Sequence, residues 1–186
     1  MSAKRSCSFR IGILTFSLLS SVASADPAED LASAEKAFNS DNLSLTMDLL
    51  MKASKEGYAP AQARLGELLD ASEYDKDAVE WYRKAAEQGN ASGQYHLGNM
   101  YALGEGIEKD FVKALYWFGR AAENNHLPAV RFLANAYKTG SAGLAIDLDR
   151  AKLWDDRANL LEAAAKAKKG NAVKKSPAES KPSERK

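Results

Sequence analysis

Very few side chains in this sequence could carry chemistry. The 186 residues include two histidines, His96 and His126, and one cysteine, Cys7. A covalent mechanism without an available thiol needs a serine or threonine activated by an imidazole. Neither histidine has a nucleophile at a telling spacing, and both are expected to be polar surface residues. Asp155 and Asp156 form a carboxylate pair in sequence, but neighbours on a helix point in different directions. No run of His, Asp or Glu has the spacing of metal ligands. The stretch GEGIEKD at 104–110 has glycines like a phosphate cradle. It lacks the Gly-Lys-Ser/Thr of a nucleotide loop and the third glycine of a dinucleotide turn, and no strand precedes it. Its glycines suit a helix stop instead: Gly104 ends one helix, Gly106 turns the chain, Ile107 tucks under and Asp110 caps the next helix. No catalytic, cofactor-binding or metal-binding residue is expected, and no enzymatic activity.

The elements around these residues are more informative. APAQARLGELL (59–69), ASGQYHLGNMY (91–101) and LPAVRFLANAY (127–137) align, bringing Leu65, Leu97 and Leu133 into one column, followed by Gly66, Gly98 and Ala134. The segments after them align Ala78, Ala114 and Ala151, then Trp81, Trp117 and Trp154. Every tryptophan occupies one repeat position, at separations of 36 and 37 residues, which is the period of helix-turn-helix arrays. Apolar residues recur at three- and four-residue spacing in both halves of each unit, as in Ala114, Trp117, Phe118, Ala121 and Ala122, so each half is an amphipathic helix. Leu65, Trp81, Leu97, Trp117, Leu133 and Trp154 are the expected packing residues. Upstream, LTMDLLMKASKEGY keeps the register with Leu49 at the tryptophan position and Ala53 and Ser54 at the Ala-Ala position. A helix near 28–39 completes an atypical first hairpin. The pattern predicts an all-α, right-handed α-solenoid of about four hairpins, since each unit can bury its apolar face only against the next.

The two ends differ from this body. Lys4, Arg5 and Arg10, the apolar stretch from Ile11 to Val22, and Ala23-Ser24-Ala25 have the order of a cleavable secretory signal. The apolar stretch is short of the ~20 residues that cross a bilayer. Cys7 lies inside this segment and Asp26 follows the cleavage site, so neither a disulfide nor a lipid-modified cysteine is expected beyond it. The reading places the protein in a bacterial periplasm, or outside the cell, with no transmembrane segment in the mature chain. Residues 26–162 carry 15 Lys/Arg against 23 Asp/Glu, whereas residues 163–186 carry 8 against 2. The basic tail has few apolar residues and is expected to be disordered beyond about Lys169. An anionic envelope polymer or a lipid surface could take such a tail, while nucleic acid is not expected as a partner.

The unit at 91–126 combines L-G-x-x-Y, G-x-G-I-x-x-D and K-A-x-x-W-F-x-x-A-A, and in this it resembles the Sel-1-like repeats, relatives of the tetratricopeptide repeat. The organisation is then 1–25 signal, 26–58 capping hairpin, 59–90 and 91–126 repeats, 127–162 a divergent repeat and 163–186 the tail. The departures are the shortened DASEYDKD linker, the longer KTGSAGLAIDLD and Asp155 where Tyr82 and Phe118 stand. The resemblance implies a non-enzymatic adaptor whose solenoid surface holds another protein. In such solenoids the first helices line the concave side, which nominates Gln62, Arg64, Glu67, Gln94, His96, Asn99, Arg131 and Asn135. Some secreted relatives are classed as β-lactam hydrolases, which leaves a weak hydrolase as one alternative, although those relatives look cysteine-rich. A cell-wall or lipid-surface protein using its basic tail is another.

Overall fold

The computed structural model describes residues 26–174; residues 1–25, where a signal is expected, and the last part of the tail lie outside them. Eight α-helices follow in order: α1 (Pro27–Asn39), α2 (Leu43–Lys55), α3 (Ala59–Asp70), α4 (Asp75–Glu87), α5 (Ala91–Leu103), α6 (Phe111–Glu123), α7 (Leu127–Thr139) and α8 (Leu148–Lys174). There is no strand among the described residues. Each odd helix packs on the even helix after it, and each even helix packs on the next odd one. The result is an all-α solenoid of four helical hairpins.

Local chemistry sets the helix ends. Asp26, Asn42, Asn90 and Asp110 accept hydrogen bonds from the free backbone N–H groups of the first turns of α1, α2, α5 and α6. Proline stands in the first turn of α1, α3 and α7, where its missing N–H costs nothing. The GEGIEKD linker behaves as expected. Gly104 closes α5 in the left-handed conformation at φ 83°, Ile107 packs against the core, and Asp110 caps α6 through Val112 and Lys113. Gly106 does more than turn: a Cβ there would sit 2.5 Å from the backbone of Asp75, so the glycine lets this linker seat directly on the start of α4.

The hairpins pack through a repeated pairing of ring and glycine. A Cβ on Gly66 would meet the Tyr82 ring at 2.6 Å, and one on Gly98 would meet the Phe118 ring at 2.9 Å. Each ring then reaches the next hairpin, Tyr82 stacking on His96 at 4.9 Å and Phe118 meeting Phe132 at a tilt at 4.2 Å. Tyr82 and Phe118 are fully buried, as are Leu65 and Leu97, and Leu133 is nearly so. The tryptophans are not the deepest residues. Trp81, Trp117 and Trp154 are half-buried at the margins of three core clusters. Lys84 covers the ring of Trp81, and Arg157 that of Trp154. The tryptophans therefore pack at the edge of the core: the centre belongs to the next position, one hundred degrees further round the helix.

Hairpin four departs where its sequence does. Ala134 replaces the glycine, and Asp155, exposed to solvent, replaces the ring. Lys152, Asp155 and Asn159 stand where Leu115, Phe118 and Ala122 receive the following hairpin in α6, so the outer end of the array is polar, as a terminal unit requires. α8 also corrects the reading of the tail. It continues as one helix to Lys174, because EAAAKAKK is made of strong helix formers. Residues 163–169 are exposed throughout.

Candidate inner-face binding surface

The odd helices form the inner side of the array. α1 packs directly on α3 and α3 on α5, whereas the even helices make no comparably extensive pairing with one another. Side chains on the odd helices therefore converge across hairpins.

A continuous polar and aromatic track results. Arg64 Nε donates to Glu35 Oε1 at 2.8 Å, and its Nη1 donates to Glu67 Oε2 at 3.0 Å. Its guanidinium also lies over the Phe38 ring at 4.8 Å. Glu67 Oε1 accepts from Ser92 Oγ at 3.1 Å and faces His96 Nε2 at 3.5 Å. The His96 ring lies flat on Tyr82 and meets Tyr95 edge-on, and Tyr95 reaches His126 at 4.7 Å. Four successive hairpins thus contribute Glu35, Arg64, Glu67, Ser92, Tyr95, His96 and His126 to one surface. Burial of the Glu67 carboxyl opposes its ionisation, but hydrogen bonds from His96, Arg64 and Ser92 outweigh this and hold it below the ordinary range. His126 is pushed the other way. Burial lowers its pKa, the nearby His96 charge adds to that, and Glu67 offsets part of it. Its Nδ1 is buried without a hydrogen-bond partner.

The expected residues separate into three groups. Arg64, Glu67 and His96 meet in the track. Asn99 is half-buried, while Asn135 and Arg131 are exposed and Arg131 pairs with Glu162. Gln62 and Gln94 are corrected: they are buried to 4% and 1% exposure and face inward. Gln62 donates to Ser54 O and accepts from Gln88, and Gln94 donates to Ala86 O and accepts from Asn124. They tie the end of one even helix to the next and are not available to a partner. In hairpin four the corresponding positions are Val130 and Leu161, an apolar pair in the same core cluster. Tyr95 and His126 are the residues that sequence reasoning missed as members of one site. The signal for Tyr95 lies in the alignment, where it stands between Ala63 and Arg131 as the one aromatic in its column.

Glu67 and His96 form a carboxylate–imidazole pair, but the one hydroxyl placed against it, Ser92 Oγ, donates to the carboxylate. No group of three or more His, Cys, Asp or Glu with metal-binding geometry occurs among the described residues. The linker edge also carries a cleft. Ala142 takes the place of Gly106 in the last linker, where Phe111, Phe118, Phe132 and Ser141 help to line a cavity of about 230 Å³.

Four stacked helical hairpins, the second and third with a ring seated on glycine, define an α-solenoid of short repeats. Residues 59–90 and 91–126 match the Sel1 repeat, so this part of the chain is built of Sel1 repeats. It is 24% identical to a Sel1 repeat protein from Oxalobacter formigenes, with a TM-score of 0.67 over 71% of this chain and 56% of that one. A protective antigen of uropathogenic Escherichia coli displaying the same fold is 30% identical, with a TM-score of 0.65 over 72% of this chain and 30% of that one. The exopolysaccharide production negative regulator of Rhizobium leguminosarum bv. viciae is 37% identical over 89 residues, 41% of this chain and 33% of that protein. In each case the match spans less than two thirds of the relative.

Proposed function

We propose that this chain is a non-enzymatic adaptor of the bacterial envelope, working in the periplasm or secreted from it, which holds a protein partner along its inner face. The observation that carries this reading is the track from Glu35 to His126. Glycine, alanine and leucine columns carry the packing of the solenoid, and the charged and aromatic side chains aligned across four hairpins add polar contacts between hairpins while leaving an inner surface that a partner can meet. Concave surfaces offer large contact areas, and Tyr and Arg anchors dominate binding at such surfaces. Sel1 repeats support the adaptor class, and the Rhizobium relative is itself named a negative regulator. The signal-like segment supports the compartment.

The test is recovery of one partner from envelope extract by the protein and its variants. Arg64 is a poor probe, because its bonds to Glu35 and Glu67 hold α1 against α3. Tyr95→Ala, Asn99→Ala and Arg131→Glu, combined, are expected to lose the partner while the helical content is kept. A Glu80→Lys change on an even helix is expected to retain it. Recovery that survives the triple variant would reject the inner face.

A further inference from the structure

The repeats supply an internal control for the outer side of the array. One line of outward positions holds Ser44 and Asp48 on α2, Lys76 and Glu80 on α4, Val112 and Tyr116 on α6, and Asp149 and Leu153 on α8. The line is polar on the first two hairpins. On the last two it becomes largely apolar, with Val112 79%, Tyr116 55% and Leu153 65% exposed and Asp149 its one charged member. Two turns further along α8, Leu160 is 72% exposed. Packing does not explain these residues, because the same positions carry Glu80 and Glu87 in α4 without loss of the hairpin. Beyond Glu162, α8 continues with basic residues as its only charged ones, namely Lys166, Lys168, Lys169 and Lys174. Lys166, Lys168 and Lys169 are exposed.

We propose that the outer face of the last two hairpins, together with the basic end of α8, docks on an anionic lipid bilayer. Protruding Leu and Val side chains, with Tyr116 edge-on to Trp117, suit the headgroup–acyl boundary, where an exposed apolar body gains by partial insertion. Lysines immediately beyond them meet the negative surface potential. A polysaccharide would satisfy the lysines but leave the leucines in water, and an acidic protein would call for a groove rather than a raised line. No helix among the described residues is long and apolar enough to cross a membrane, so the contact is peripheral. It also leaves the inner face free for the partner.

Site-specific fluorescence on the full chain tests this without interference from the apolar N-terminal stretch. With Cys7→Ser in place, a nitrobenzoxadiazole label is attached at Leu153→Cys or, as control, at Glu80→Cys. The label at 153 is expected to shift to the blue with phosphatidylglycerol–phosphatidylcholine vesicles and to stay unchanged with phosphatidylcholine alone. The label at 80 is expected not to respond. Lys166→Glu, Lys168→Glu and Lys169→Glu together are expected to weaken vesicle binding on the order of 100-fold, and Tyr116→Ser with Leu160→Ser to reduce the shift. An equal response at 80 and 153 would overturn the proposal. So would a shift at 153 that ignores the lysine reversals, or silence at 153 in protein that sediments with isolated cell wall, which would assign the basic end to a polymer.

Discussion

Hairpins three and four are built to one plan and end in opposite ways. In hairpin three, Phe118 lies over Gly98 and against Phe132 of the neighbour. In hairpin four, Asp155 and Ala134 hold the same two positions, and the aspartate faces water. Glycine and ring change together because each is the reason for the other: without a ring overhead, a Cβ costs no space and improves the helix. At this contact two residues distinguish an interior repeat from the last one, and Lys152 and Asn159 extend the polar surface beside Asp155.

The sharpest way to break this comparison is to remove the interior ring. Phe118→Ala is expected to cost about 3–5 kcal/mol in urea denaturation, while Asp155→Ala stays within about 0.5 kcal/mol of the parent. Similar costs at both positions would dissolve the distinction. Trp117→Ala should fall below Phe118→Ala, in keeping with its half-exposed position.

Next in size is the glycine. Gly98→Ala pushes a methyl group into the Phe118 ring and is expected to cost about 1–3 kcal/mol. Combining it with Phe118→Leu should recover part of that loss, whereas the two costs would simply add if ring and glycine were independent.

The buried glutamines separate the hairpins on another count. Gln94→Ala removes a buried amide bonded to Ala86 O and Asn124, both of which keep a bond to Gly89, and is expected to cost about 1 kcal/mol. Gln94→Val with Asn124→Leu, which copies the Val130–Leu161 pair, should be milder than that single change. A double variant worse than Gln94→Ala would show that the two pairings are not interchangeable.

The smallest expected effect is a slope. The lowered pKa of His126 means that the folded state disfavours its protonation. Its contribution is therefore fully present above the unfolded value of 6.5 and lost progressively as pH falls from there through the lower folded value. Melting temperatures followed from pH 8 to below pH 6 are expected to fall less steeply in His126→Asn, which copies Asn90. Parallel profiles would mean that His126 is not the group responsible.

How much of this was legible depends on the range of the interaction. Columns such as Leu65–Leu97–Leu133 and linker devices such as Gly104 and Asp110 act within a hairpin or between like positions, so periodicity displays them. The ranking of Trp117 and Phe118 did not show, because both are aromatic and adjacent; the angle at which the next hairpin arrives decides which is enclosed. Gln62 and Gln94 look like surface residues, and only the approach of three helix ends gives their amides partners. Tyr95, His96 and His126 sit in different columns and meet only because the odd helices converge. The extension of α8 was obscured by averaging a helix-forming stretch with the Pro- and Ser-containing residues after it.

Photo-cross-linking in the intact cell addresses the central claim directly, with benzoylphenylalanine placed at Asn99 or Asn135 on the inner face and at Glu80 on the outer one. The account predicts a discrete protein adduct from Asn99 and Asn135 and none from Glu80. An adduct from Glu80 with none from the inner positions would contradict it.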